Sequence, residues 1–170
     1  ERVRVQAGLL MLLPLRSPLL GLGAQLSVQM PVGATISITL SGEGVTGEKD
    51  ISGGRLRYDS YGLLLGLRAE RRLARVLLHL ELALQGHRDS LEGVPENQRR
   101  YEGDSFRAFV PGLRLSAGFD VPFLKRGLFG FSLAGAYKTR TLYARNESHP
   151  TSQLGPFFAA ASLRVGARFP

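Results

Sequence analysis

Alternation of apolar and polar side chains with a period of two recurs along nearly the whole chain, and it limits the fold more than any other feature. Eight segments carry it. In the first, Arg2 to Leu13, Val3, Val5, Ala7, Leu9 and Met11 share one face. The second, Leu19 to Met30, sets Leu20, Leu22, Leu26, Val28 and Met30 against Gly21, Gly23, Gln25, Ser27 and Gln29. The third, Thr35 to Thr46, opposes Ile36, Ile38 and Leu40 to Ser37, Thr39 and Ser41. In the fourth, Arg55 to Ala69, Tyr61, Leu63, Leu65 and Leu67 align, whereas Tyr58 has the other parity and predicts a bulge near Asp59-Ser60. The fifth, Arg75 to Gln85, places Leu78, Leu80, Leu82 and Leu84 opposite Arg75, His79, Glu81 and Gln85. The pattern continues over Phe106–Phe119, Leu128–Thr141 and Leu154–Phe169, with Pro111 predicting a bulge or weak pairing in the sixth segment.

The joins have a rhythm of their own. Short ones at Pro31–Ala34, Glu70–Ala74 and Asp120–Gly127 share one end; the other end has the longer joins Gly42–Gly54, Gly86–Asp104 and Leu142–Gln153, with Pro14–Pro18 its one short member. Eight strands joined in sequence, with turns gathered at one end, predict an all-β, eight-stranded, antiparallel up-and-down barrel over a single domain, residues 1–170. Side-chain volume decides which face is inside. An eight-stranded barrel has room only for the side chains that fill it. The large aliphatics therefore point outward, and the glycines, serines and charged residues fill the lumen. An apolar outer face implies a lipid solvent, which makes this a transmembrane β-barrel. No run of about 20 apolar residues is present for a membrane-spanning helix.

Composition adds limits. There is no cysteine, so disulfides and thiolate metal sites are excluded; no cofactor or metal is expected. The formal net charge of +8 admits nucleic acid or anionic lipid as a partner. No basic helix or aromatic platform favours nucleic acid, so lipid is preferred. The apolar stretch Ala7–Leu15 after Arg2 and Arg4 resembles a signal core, but its alternation favours a strand, and a start at Glu1 is what a processed product shows. Arg71, Arg72, Lys125, Arg126 and Arg168 gather at the short-turn end and are expected to contact lipid headgroups. Within the lumen, Glu70 and Glu81 are expected to pair with Arg68, Arg75, Arg114, Lys138 and Arg164, and His79 lies one pleat from Glu81.

The last segment resembles the C-terminal signal of outer-membrane barrels, with Leu163, Val165 and Phe169 alternating toward a final aromatic; here Pro170 follows that aromatic. With the chain length, this resembles the small eight-stranded barrels typified by OmpX and the transmembrane domain of OmpA. The resemblance implies a bacterial outer-membrane location with both termini periplasmic. It also implies handling by the barrel-assembly machinery, a monomeric state, surrounding outer-membrane lipids (detergent in vitro), and a structural or surface-interaction role. An extracellular or envelope protein would then meet the outer loops. Lipid A deacylases and acyltransferases share such barrels, so an enzyme is the alternative. The weak catalytic candidates are His87, Asp89 and Ser90 after the fifth segment and His149 in the last long join. The deacylase pattern His-x-Ser-Asn is absent.

Overall fold

The computed structural model describes residues 2–15, 19–51, 54–95, 105–123, 125–146 and 149–169. Its elements are β1 (Val3–Pro14), β2 (Gly21–Pro31), β3 (Ile36–Ile51), β4 (Gly54–Leu73), β5 (Val76–Pro95), β6 (Ser105–Phe123), β7 (Gly127–Lys138), β8 (Leu142–Asn146), β9 (His149–Leu154) and β10 (Phe157–Phe169). Eight of these strands close a barrel in the order β1-β10-β7-β6-β5-β4-β3-β2, every pair antiparallel. Within the closed ring each strand is paired on both sides. The remaining two, β8 and β9, pair with each other in a separate hairpin within the predicted join 142–153.

The short-turn end has its joins where the sequence predicts them, but two are tighter: β4 continues to Leu73 and β6 to Phe123, so Glu70 and Asp120 lie within strands. β2 and β3 are linked through 32–35, and β4 and β5 through Ala74-Arg75 alone. Ala74 has φ 54°, the left-handed conformation that a two-residue hairpin demands. Arg75 is therefore an exposed turn residue, a correction to its expected place in the lumen.

At the other end the strands outrun the expectation. The sequence predicts a loop over 42–54, yet β3 and β4 pair in register from Ile36↔Ala69 to Ile51↔Gly54. β5 likewise pairs with β4 as far as Pro95↔Gly54. Thus β3, β4, β5 and β6 project beyond the ends of β1, β2, β7 and β10. This extension accounts for Tyr58. The pairing of β4 passes Asp59-Ser60 without a register shift, so there is no bulge. Tyr58 differs in parity from Tyr61 because it points inward, fully buried. Pro111 also keeps register, opposite Gly86. Its carbonyl accepts from the Thr139 N–H at 2.9 Å where β7 ends, so the missing proline N–H falls at the edge of the β6–β7 ladder.

The outward face is a belt of large apolar side chains. Leu9, Leu22, Leu26, Tyr61, Leu63, Leu65, Leu67, Leu80, Leu82, Leu84, Phe109, Leu115, Leu133 and Val165 are each more than half exposed. On β4 the belt runs from Tyr61 to Ala69 and stops at Arg71. Nine residues at about 3.4 Å rise, tilted about 40°, cover roughly 20 Å of height. Aromatics sit at both margins. Tyr61 and Phe109 flank Arg88 in one cross-strand row, and Tyr137 stacks on Phe157 with centroids 5.4 Å apart. At the short-turn margin Phe119 meets Phe131 at 5.9 Å, near exposed Phe123, Phe129 and Phe169. Leu163, Val165 and Phe169 all face outward on β10, which closes the barrel against β1.

Candidate functional site in the barrel lumen

The inward side chains form layers along the axis. Nearest the short turns, Glu70 Oε1 accepts from Arg4 Nη1 at 2.6 Å and from Gln29 Nε2 at 2.8 Å. Arg68 Nε lies 2.9 Å from the same oxygen as an ion pair without hydrogen-bond alignment. Asp120, fully buried, centres the next layer. Its Oδ2 accepts from Arg68 Nη2, its Oδ1 accepts from Gln6 Nε2 at 3.2 Å, and Arg164 Nη2 is 3.7 Å away. His79 is wedged here, with Nδ1 3.0 Å from Arg68 Nη2 and Nε2 3.2 Å from Arg164 Nη2. A neutral imidazole has one acceptor nitrogen, so only one of these contacts is a hydrogen bond at a time. The carboxylate beside His79 is Asp120, at 4.0 Å, instead of the expected Glu81.

Higher up, Arg114 Nη1 donates to Glu43 Oε2 at 2.6 Å, and His87 Nε2 lies 3.5 Å from Glu43 Oε1. Then Lys138 Nζ donates to both Asp89 oxygens, at 3.0 and 2.8 Å, and to Tyr58 Oη at 3.0 Å. Its ammonium also sits 4.9 Å from the Phe158 ring centre. Glycines make room for these long groups in so narrow a tube. Gly130 lies opposite Asp120, and Gly62 lies opposite His87; a Cβ at either would overlap the facing side chain.

Basic Arg4, Arg68, Arg114, Lys138 and Arg164 thus share the lumen with acidic Glu43, Glu70, Glu81, Asp89 and Asp120. Along the enclosed part of the lumen the two groups match one for one; Arg168, at its short-turn mouth, comes in addition to these five basic groups. Three of these carboxylates escape the sequence reading, which places Glu43 and Asp89 in outer loops and Asp120 in a short join. The signal for the first two is parity: Glu43 continues Ser37, Thr39 and Ser41, and Asp89 continues His79, Glu81, Gln85 and His87. Glu81 faces the lumen but makes no ion pair within 4 Å among the described residues; it borders a void of about 20 Å³, room for little more than one water.

The loop-ward end of the lumen is apolar. Leu10, Leu12, Leu19, Val45, Leu56, Leu91, Phe158 and the Tyr58 ring form one buried cluster. The sequence predicts a wholly polar filling, so this apolar plug is a correction. It has a sequence signal as well. Leu9 to Leu13 is apolar on both parities, as in a strand buried on both sides.

The weak catalytic candidates separate. His87 and Asp89 point inward, whereas Ser90 faces away from them on the outer side of β5. The serine that meets them is Ser60, which donates to Asp89 Oδ1 at 2.6 Å and lies 3.0 Å from His87 Nδ1. A nucleophile needs substrate access as well as a base. Ser60 is 2% exposed and lies below Leu56, Tyr58 and Leu91, so the trio reads as structural cross-linking. The His149 side chain lies outside the described residues.

Arg71, Arg72, Arg75, Lys125 and Arg126 are exposed around the short-turn rim, and Arg2 is exposed at the barrel mouth. The two carboxylates nearest them in the strands, Glu70 and Asp120, are turned inward and engaged. Arg168 departs from the expected rim position. It shares the parity of Arg164 and lines a cavity in the barrel mouth.

No protein-family model matches the chain, and no curated protein matches its sequence. Solved structures do match its fold. Neisserial surface protein A is 13% identical with a TM-score of 0.73, covering 98% of this chain and 97% of that one. A major outer membrane protein from Thermus thermophilus is 14% identical, TM-score 0.71, covering 98% and 99%. Ail, the attachment invasion locus protein of Yersinia pestis, is 13% identical, TM-score 0.64, covering 99% and 98%. The chain has the fold of the small eight-stranded outer-membrane barrels.

Proposed function

We propose that the protein is an integral barrel of a bacterial outer membrane with a structural or surface-interaction role. Its lumen is closed, and the projecting ends of β3 to β6 with the β8–β9 hairpin form its presented surface. The observation that carries this reading is the apolar outer belt around a charge-matched lumen. Water would disfavour the first, and lipid would not tolerate the second unless it were enclosed. The fold likeness to a neisserial surface protein and to an attachment invasion locus protein supports a role in surface contact.

In this reading the short-turn end faces the periplasm, with both ends of the chain there. The rim residues Arg71, Arg72, Lys125 and Arg126 then rest on phospholipid phosphates, each contributing about 1 kcal/mol. Leu163, Val165 and Phe169 are presented to the barrel-assembly machinery during insertion. A filled lumen and an apolar plug oppose conduction, and the burial of Ser60 opposes an enzyme.

Flotation tests the reading. The refolded chain should rise with phosphatidylcholine vesicles through a density gradient and keep a compact, heat-modifiable mobility on electrophoresis. A folded chain that stays at the bottom of the gradient would exclude membrane insertion.

A further inference from the structure

The mouth of the barrel at the short-turn end holds a cavity of about 250 Å³, far larger than the void in the middle of the lumen. Its wall carries Arg2 just before β1, Arg4 on β1 and Arg168 on β10, with Thr35 from the β2–β3 turn and Ser37 from the start of β3. One carboxylate, Glu70, is also there, but it is already bound to Arg4, Arg68 and Gln29. Among the described residues positive charge is therefore in excess at this spot. Arg168 lies in the field of Arg4, Arg72 and Arg2, with Asp120 the weaker opposing charge. Its Nε and Nη2 are shielded from solvent and have no hydrogen-bond partner among the described residues.

A shielded guanidinium nitrogen without an acceptor is costly, and like charges around it add to the cost. Every other basic side chain on the lumen axis meets a carboxylate: Arg4, Arg68, Arg114, Lys138 and Arg164 all do. Arg168 departs from that rule beside a cavity with hydroxyl groups in its wall. The group that would complete it is a compact oxyanion, able to take several N–H donors at once; phosphate suits arginine in this way.

We propose that this mouth cavity binds a phosphate group, with Arg168 as its principal ligand and Arg2 and Arg4 beside it. The phosphate belongs either to a phospholipid headgroup of the adjoining leaflet or to free inorganic phosphate. The inference rests on the membrane-barrel reading, and it goes beyond the rim contacts by assigning one saturable site inside the mouth.

The test uses the whole chain folded in a non-ionic detergent that contains no phosphate. Heat-modifiable mobility first establishes that the barrel has formed. Inorganic phosphate is then titrated in one arm and a short-chain phosphatidylglycerol in another, followed by calorimetry and ³¹P resonance. Saturable binding of about one ligand per chain is expected in at least one arm. Binding in the inorganic arm assigns the site to free phosphate, and binding of the lipid alone assigns it to a headgroup. Arg168→Gln should weaken binding by about tenfold or more, the scale of one lost charge-assisted contact. Arg2→Gln, at an exposed position, should weaken it by a smaller factor and serves if Arg168→Gln fails to fold. Arg88→Gln removes the same charge at the opposite end of the belt and should leave binding unchanged. A folded wild-type chain that binds neither ligand overturns the inference alone, as does an Arg168→Gln chain that binds like wild type. A chain that forms no barrel in detergent overturns both this inference and the membrane reading.

Discussion

Replacing Asp120 by alanine is expected to destabilise the folded barrel by about 3–5 kcal/mol, the cost of leaving buried charges without their partner. The size follows from what this one carboxylate holds. Asp120 is fully buried and accepts from Arg68 and Gln6, with Arg164 at 3.7 Å and His79 at 4.0 Å. Arg68 keeps Glu70 after the change, but Arg164 has no other carboxylate within ion-pair distance among the described residues. The alanine variant also opens space beside Gly130, which is bare because the carboxylate lies over it. Asp120→Asn keeps an acceptor for Gln6 and should fall between alanine and wild type. By contrast, Glu48→Gln breaks a pair with Arg55 that is half in solvent and should change stability by less than about 1 kcal/mol. Equilibrium urea unfolding in lipid vesicles measures all three. An Asp120→Ala effect as small as that of Glu48→Gln would show that the lumen network does not hold the barrel.

Placing an arginine at Leu82 tests the opposite face. Leu82 is 57% exposed in the middle of the belt, between Leu67 on β4 and Leu115 on β6. If lipid surrounds it, Leu82→Arg should cost about 2–4 kcal/mol, the penalty for a cation near the bilayer midplane. If water surrounds it, the same change removes an exposed leucine and should lie within about 0.5 kcal/mol of neutral. The two solvents therefore give effects of different size at one position. Unfolding from vesicles gives the number. A neutral result there would remove lipid as the solvent of this face.

The fold is legible because alternation survives along the whole circumference. Leu78 to Leu84 and Leu22 to Met30 can be assigned to the outer face on volume alone, since so narrow a tube cannot hold them. What escapes the reading lies where strands leave the belt. Beyond Tyr61 and Arg88, outward residues need not be apolar. Glu48, Asp50, Arg55 and Arg57 therefore look like loop while the backbone continues as a ladder. Glu43 and Asp89 are misplaced for that reason, and with them the partners of Arg114 and Lys138. Tyr58 looks out of phase because an apolar inward residue is not expected in a polar lumen, although the plug needs one. Arg75 shows the limit at the other end. Its parity matches the lumen, but a two-residue turn carries it out to the rim. Arg168 is the reverse case: its parity, shared with Arg164, outweighs its membership in the basic cluster.

The most direct measurement of which face meets lipid exploits the absence of tryptophan from the chain. Single reporters Leu82→Trp and Glu92→Trp would both point outward from β5, one within the belt and one on the projecting end. In vesicles containing phospholipids brominated along their acyl chains, fluorescence from the first should be strongly quenched and from the second nearly unchanged. Equal fluorescence from both reporters, with no quenching at position 82, would contradict a lipid-facing belt.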